Sequence, residues 1–407
     1  MLVVDSKKTA ISPQCRDLST FFPHAVPMHS RIVREQTELN ALAECWNALA
    51  GDDYFCRHDW LANWWASYGR GNELLVVVVE DQGETLAIAP LYRTMNVATG
   101  RCLRWLGSNE VCSDYLKPLV AQRHIAQLAE ICQAIVAALE SANSTKPTRW
   151  EMLELAGSAA AEPTVAGLLD AFSAAGYSIH RSLLESCWRF ELPSDYDSYT
   201  KSLGNSFRRS LKKIDKDFNA TGRARYLKAE TETDFEFLWN ELVSLHQKRR
   251  RALGQPGCFS DWRFERFLKS VALHALANGS LELFLTICDD QPLAASIGFA
   301  AGGCSTLYQS GIDIDRMDLR PGHLHNMHIV RSAFAAGRNS FDFLRGDESY
   351  KKLWRAQPVA LESIRVIPQR LLPQFRQRVW TTRNNVKAWL NSRAQDKQPP
   401  NVQASSD

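Results

Sequence analysis

Hydrophobic and polar positions run through this chain in one order, twice. In the first half a helical-period stretch carries Trp46, Leu49, Trp60, Trp64 and Trp65. A strand follows at Leu74–Val79, then a turn at Asp81–Glu84, a second strand at Leu86–Tyr92 and a third at Arg101–Leu106. An amphipathic helix closes the series over residues 123–140. The second half predicts helices over 233–250 and 261–278, a strand at Leu281–Ile287, and a turn at Asp289–Pro292. Strands at Leu293–Ala300 and Ser305–Gly311 come next, then a helix over 322–336 stopped by Gly337. Leu74 falls on Leu281 at an offset of 207 residues, and the matching turns fall between matching strands. Internal duplication accounts for this more simply than two unrelated α/β domains.

The turn after the first strand of each half joins neighbours too tightly for a doubly wound sheet, whose parallel strands need crossovers of about a dozen residues or more. The early strands are therefore antiparallel, and only the later pair flanks a helix. The predicted fold is α/β (α+β): two mixed, mainly antiparallel sheets with flanking helices. The expected divisions are a polar leader at 1–28, a first unit at 29–190, a second at 191–370, and a C-terminal helix with a disordered tail at 371–407.

Composition narrows the function without choosing it. The 407 residues are 45% hydrophobic and 23% charged, with a net charge of +3. That balance implies neither nucleic-acid nor membrane binding by the chain as a whole. The ten cysteines form no Cys-x-x-Cys pair and lie in apolar or helical contexts, as reduced core thiols do. Lys7 and Lys8 are followed by no apolar run of secretory type, and no stretch reaches the roughly 18 apolar residues of a membrane span. The expected location is the cytoplasm.

Candidate chemistry concentrates near the end of the second half. Phe341-Asp342-Phe343-Leu344 alternates as a half-buried strand and runs into the polar loop Arg345-Gly346-Asp347-Glu348-Ser349-Tyr350-Lys351. Such a loop is either a binding edge or a solvated turn. Other marks are Trp60-x3-Trp64, Ser113-Asp114-Tyr115, Arg208-Arg209, His246-x2-Arg249, Tyr308-x2-Gly311-x-Asp313 and Arg320-Pro321-Gly322. In this order and spacing, over residues 30–367, the chain resembles the BioF2-like (CelD, BcsL) branch of the GNAT acetyltransferase superfamily, with distant similarity to FemABX transferases.

The resemblance implies two GNAT-like folds, acetyl-CoA or another acyl-CoA as co-substrate, and no metal. It places the acyl-CoA phosphates at Arg320, Pro321, Gly322 and His323, where a helix N-terminus offers unpaired amides; a plain helix start is the alternative. It makes Lys351, after the aromatic Tyr350, the candidate stabiliser of the transferred carbonyl. Asp342, Asp347 and His246 are candidate bases, with Asp342 equally able to pair with Arg345, and Arg249 shares a helix face with His246. Asp114 and Tyr115, with Arg249 and Arg345, would bind the acceptor, the first unit forming its side of the site.

Three features point elsewhere and weakly. His323, His325 and His328 have no carboxylate or Cys at ligand spacing. Asp313-x-Asp315-x2-Asp318 lacks the Gly and Glu of a calcium loop. Arg208-Arg209-x2-Lys212-Lys213-x2-Lys216 is a basic helix face, either solvated or facing an anionic substrate; it lacks the interleaved aromatics that nucleic-acid stacking needs. The expected function is acyl transfer to an amine of a small molecule or envelope-polysaccharide precursor. Alternatives are aminoacyl transfer and a non-catalytic scaffold in polysaccharide (cellulose) synthesis.

Overall fold

The computed structural model describes residues 28–97, 99–142 and 149–382. The expected leader up to residue 27 and the tail beyond 382 lie outside the described residues. The strands of the first half are β1 (His29–Val33), β2 (Glu73–Asp81), β3 (Glu84–Asn96), β4 (Gly100–Trp105), β5 (Leu119–Val120), β6 (Met152–Ala159) and β7 (Ser178–Leu183). Those of the second are β8 (Cys187–Glu191), β9 (Ala224–Lys228), β10 (Leu281–Cys288), β11 (Gln291–Ala301), β12 (Cys304–Thr306), β13 (Gln309–Ile312), β14 (Ser340–Arg345), β15 (Gln357–Val359) and β16 (Leu361–Ile367).

They form two eight-stranded sheets of matching topology, β1-β2-β3-β4-β6-β16-β7 with β5 beside β3, and β9-β10-β11-β12-β14-β8-β15 with β13 beside β11. The pairings are antiparallel except β4 with β6 and β12 with β14. The mixed sheets predicted from the hairpins are present in both halves. Both hairpin turns place their central residues at positive φ, Gln82 (49°) with Gly83 (85°) and Asp289 (50°) with Asp290 (60°). That conformation matches the twist of the flanking strands in a two-residue loop.

Each sheet is completed by a strand from the far side of the sequence. β16, which follows the second unit, inserts between β6 and β7 of the first sheet. β8, which leaves the first unit, inserts between β14 and β15 of the second. A boundary at 190/191 therefore cuts through β8 and misses an exchange that leaves neither sheet whole on its own. β1 and β9 also lie outside the strand pattern read from the sequence; β9, Ala-Arg-Tyr-Leu-Lys, is half polar and mostly exposed, so its alternation is weak.

The units share one core. The helix His58–Tyr68 sends Trp60 edge-on against Phe267, Phe299 and Tyr308 of the second unit, with ring centroids 4.8, 5.6 and 5.2 Å away. Tyr54 stacks on Phe299 at 4.3 Å, and the Tyr308 hydroxyl donates to the Val111 carbonyl at 2.5 Å. These aromatic pairs are largely buried, each adding about 0.5–1.5 kcal/mol beyond area burial. Relative movement of the units would break them together.

Candidate active site at the joint of the two units

The continuous strand expected over Ser305–Gly311 is broken, and the break opens the site. Gly298 on β11 has no Cβ, and one there would lie 1.7 Å from the Thr306 carbonyl oxygen. The backbone of β12 thus crosses close over β11. The Thr306 hydroxyl takes over the ladder, accepting from the Phe299 amide and donating to the Phe299 carbonyl, both at 2.9 Å. The next two amides then part: Leu307 donates to Asp342 of β14, and Tyr308 to Ile297 of β11, each at 2.9 Å. Beyond this point β13 stays with β11 and the sheet splays.

Asp342 stands at the apex of that splay, in register between Thr306 and Arg189 of β8. With Leu344, Cys304, Ala301 and the first-unit residues 52–55, Asp114 and Tyr115, these line a cavity that opens to solvent. The Asp342 carboxyl is buried. One oxygen accepts from the Tyr115 hydroxyl at 2.6 Å and the other from the Leu344 amide at 2.7 Å. Burial raises its pKa from the ordinary carboxylate value and the nearby Asp114 adds to this, against the hydrogen bonds and Arg189. Tyr115 (φ 64°) and Leu344 (φ 56°) both hold left-handed backbone conformations unusual for their residue types. Such local cost persists where the surroundings fix it, commonly at functional sites.

Asp114 lies beside this pair. It accepts from Arg345 Nε at 2.9 Å and forms an ion pair with Arg345 Nη2 at 2.6 Å. Burial raises its pKa, with Arg345 opposing. The two sequence marks of the first unit meet here, since Trp60 Nε1 donates to Ser113 Oγ at 2.7 Å. Gly157 of β6 (φ 85°) makes room: a Cβ there would lie 2.7 Å from the Ser113 carbonyl and 3.1 Å from Arg345 Nη2. The buried thiol of Cys187 completes the polar set, its pKa raised by burial and then by Asp114 and Asp342.

Four of the predicted residues, Asp114, Tyr115, Asp342 and Arg345, therefore converge from positions more than two hundred residues apart. The others do not join them. Lys351 is neither a surface lysine nor a free ammonium facing the cavity. It is buried, and Nζ donates to the carbonyls of Leu344, Arg345 and Gly346 at 3.0, 3.1 and 2.9 Å, with Glu348 at 2.9 Å. An ammonium has three donors, and all are engaged. Lys351 braces the bulge that β14 makes between Asp342 and Arg345. Tyr350 packs edge-on to Phe343 at 5.6 Å and feels the charge of Arg249. Asp347 accepts from Trp188 Nε1 at 3.1 Å.

His246 is buried where its helix, Glu232–Ala252, meets β13, against Gln247 (3.1 Å), Cys258 (3.6 Å) and the edge of Phe259 (5.1 Å). Burial lowers its pKa to about 4, so it accepts protons poorly at neutral pH. Arg320 takes a left-handed conformation (φ 52°) that caps the helix Pro321–Ala335, and its side chain donates to Ser210 at 2.8 Å. Gly322 faces open space, and His323 packs edge-on to Phe207. This helix start is separate from the cavity lining. The three histidines diverge: His325 bridges Thr286 and Ser296 in the core, and His328 stacks on Tyr226. Lys248 spans Asp313 and Asp315, and the basic helix Asn205–Ile214 buries Phe207, Leu211 and Ile214 while its Lys212 and Lys213 are exposed.

Reasoning from sequence missed Arg189, Thr306 and the loop 52–55. Arg189 lies in the strand exchanged between units, and only the exchange brings it beside Asp342. A polar residue alternating with Trp188 and Phe190 was the available signal.

Comparison with known proteins agrees with this architecture. Residues 205–352 match the family model of the acetyltransferase (GNAT) domain, so the second unit is a GNAT-type acyltransferase domain. The chain is similar in fold to a crystal structure of FemX, with a TM-score of 0.55 and 13% identity, covering 82% of this chain and 97% of that one. It is also similar to a conserved protein from Bacteroides thetaiotaomicron (TM-score 0.51, 11% identity, 83% and 100% covered). A third is the C-terminal domain of a putative lysylphosphatidylglycerol synthetase from Agrobacterium fabrum (TM-score 0.50, 10% identity, 82% and 92% covered). No curated protein matches the sequence.

Proposed function

Taking a GNAT acyltransferase domain in the second unit as the premise, we propose that the chain transfers an acyl group, acetyl from acetyl-CoA, to an amine bound in the cavity between the units. The observation that carries this reading is Asp342. It is a buried carboxyl at the apex of the splay, with its pKa raised and its side chain fixed by Tyr115 and Leu344. In the proposed step the amine nitrogen bonds to the acyl carbon, the carbon–sulfur bond breaks, and Asp342 takes the amine's proton for return to the departing sulfur. Asp52 and Arg189 in the same lining, with Asp53 paired to Lys117, give the cavity groups of both signs, and the acceptor reacts there as the neutral amine.

Arg320 and the first turn after it are assigned the donor's phosphates. Arg320 has no carboxylate partner among the described residues, and Gly322 leaves space beside the amides. Lys351 is assigned a positioning role, holding the Leu344–Gly346 carbonyls so that Arg345 reaches Asp114. The BioF2-like placement and an envelope-polysaccharide acceptor belong to this proposal through the motifs that carry the resemblance.

The test is release of free CoA thiol from acetyl-CoA across a panel of amino sugars and other primary amines. Turnover by the native chain that falls by about a hundredfold or more in Asp342→Asn supports the reading. Turnover unchanged in that variant overturns the base assignment. Turnover with aminoacyl-tRNA but not acetyl-CoA would replace the donor.

A further inference from the structure

One end of strands β4, β6 and β16 of the first sheet carries a surface that the acyl-transfer site does not use. Residues 371–382 are helical. One face of this helix packs down: Pro373 and Gln377 are buried, Arg376 pairs with Glu151, and Arg365 lies 3.4 Å over the ring of Trp380. The opposite face holds Leu371, Leu372, Phe375 and Val379 at helical spacing, and they are 93, 52, 64 and 52% exposed.

A second element adds to the same surface. The β3–β4 hairpin tip presents Met95 and Val97, which are 77 and 97% exposed. The tip adjoins the helix, because a Cβ on Gly100 would meet both Glu151 and Arg376. Two segments unrelated in sequence thus expose large apolar side chains at the same end of the first sheet. Scattered single exposed apolar residues need no explanation, but a contiguous group marks an interaction surface.

Charge identifies the occupant. Every charged residue between Glu362 and Asp396 is basic: Arg365, Arg370, Arg376, Arg378, Arg383, Lys387 and Arg393. Arg378 stands exposed at the border of the apolar face. Beneath the helix Glu151 is taken by Arg376 and Arg101 and Glu154 by Arg365 and Arg104, which leaves Arg378 exposed without a carboxylate partner among the described residues. The sequence beyond Thr382 continues the mixture, with Val386, Trp389 and Leu390 among the basic residues. An apolar stripe bordered by cations and aromatics is what lies in the interface of an anionic bilayer. Among the described residues no helix is long and apolar enough to cross a membrane, so the fit is to lying on one.

We infer that the surface formed by residues 371–382 and the 95–97 hairpin tip docks the protein on a membrane rich in anionic phospholipid. The apolar side chains enter the headgroup boundary and the exposed Arg378 faces the phosphates.

The test is co-sedimentation of the full chain with vesicles of neutral phosphatidylcholine alone and of phosphatidylcholine mixed with phosphatidylglycerol. Binding is expected to the mixed vesicles, to weaken in high salt, and to fall about tenfold or more in Phe375→Glu and in Arg378→Glu. Both side chains are exposed, so an unchanged melting temperature shows that either variant is folded. No binding to the anionic vesicles overturns the inference, as does equal binding to neutral ones or binding that both variants leave intact. A dimer seen by light scattering, lost in Phe375→Glu and unaccompanied by vesicle binding, would assign the surface to a second copy of the chain instead. Acetyl-CoA turnover in solution should be unchanged in both variants, separating failure here from failure of the acyl-transfer reading.

Discussion

The two units have the same strand order but differ in what they place at the joint. In the first, β4 and β5 are separated by a long loop, residues 106–118, that carries Asp114 and Tyr115 across to the partner unit. In the second, the corresponding strands β12 and β13 are separated only by Leu307 and Tyr308, whose amides part to opposite strands. The ends of the parallel strands differ likewise. β14 bulges and is braced by Lys351, whereas β6 places the bare Gly157 where Arg345 arrives. The helix starts differ too: Arg123 and His124 of the first unit are occupied by Glu84, while Arg320 of the second donates to Ser210 and has no carboxylate partner among the described residues. The same strand order occurs twice, and the two copies differ at the loops and strand ends that meet at the joint.

Substitutions can break this division of labour, and the largest effect is expected at Asp342. Asp342→Asn keeps an acceptor for the Leu344 amide and turns the Tyr115 contact around, its amide donating to the phenol oxygen; it removes the base, lowering turnover by about a hundredfold or more in a CoA-release assay. Because the folded carboxyl binds its proton more tightly than the unfolded one, its stability contribution is greatest at low pH and is lost as pH rises through the raised folded pKa. The native chain's melting temperature should therefore lose ground against Asp342→Asn as pH rises from about 4 towards neutrality. Activity should follow the opposite course, rising as the same group ionises.

Next in size is Lys351→Met, which strands three carbonyls and Glu348. It should cost about 3 kcal/mol in denaturant unfolding, as removing one partner of a buried charge network does. Gly157→Ala meets both a positive φ and the Ser113 carbonyl, and a loss of about 2 kcal/mol is expected by the same measurement. Tyr115→Phe removes one hydrogen bond to Asp342 and should lower turnover by about tenfold while the chain stays folded. Smallest is the pair Lys212→Ala and Lys213→Ala on the solvated helix face, expected to stay within about 0.5 kcal/mol in stability.

The sheets and hairpins were legible because their signals are local. Gln82-Gly83 and Asp289-Asp290 mark the same turn at the same offset, and the apolar strands beside them are uninterrupted. The polar loop ending in Tyr350-Lys351 was legible as important, and Asp342, Asp114, Tyr115 and Arg345 do meet. The role of Lys351 was not legible, since a buried lysine under three carbonyls has the same neighbours in sequence as an exposed one. The β8/β16 exchange left no local trace either, because both strands read as ordinary alternating segments. His246 shows the converse: helical spacing put it on a face with Arg249, yet packing against Phe259 and β13 buries it away from the cavity.

In the proposed reaction one of two like units binds the donor, and calorimetric titration with acetyl-CoA decides whether it does. One molecule is expected to bind per chain, with binding lost in Arg320→Glu and kept in Arg123→Glu. Two molecules per chain, or a single one that survives Arg320→Glu and disappears in Arg123→Glu, would contradict it.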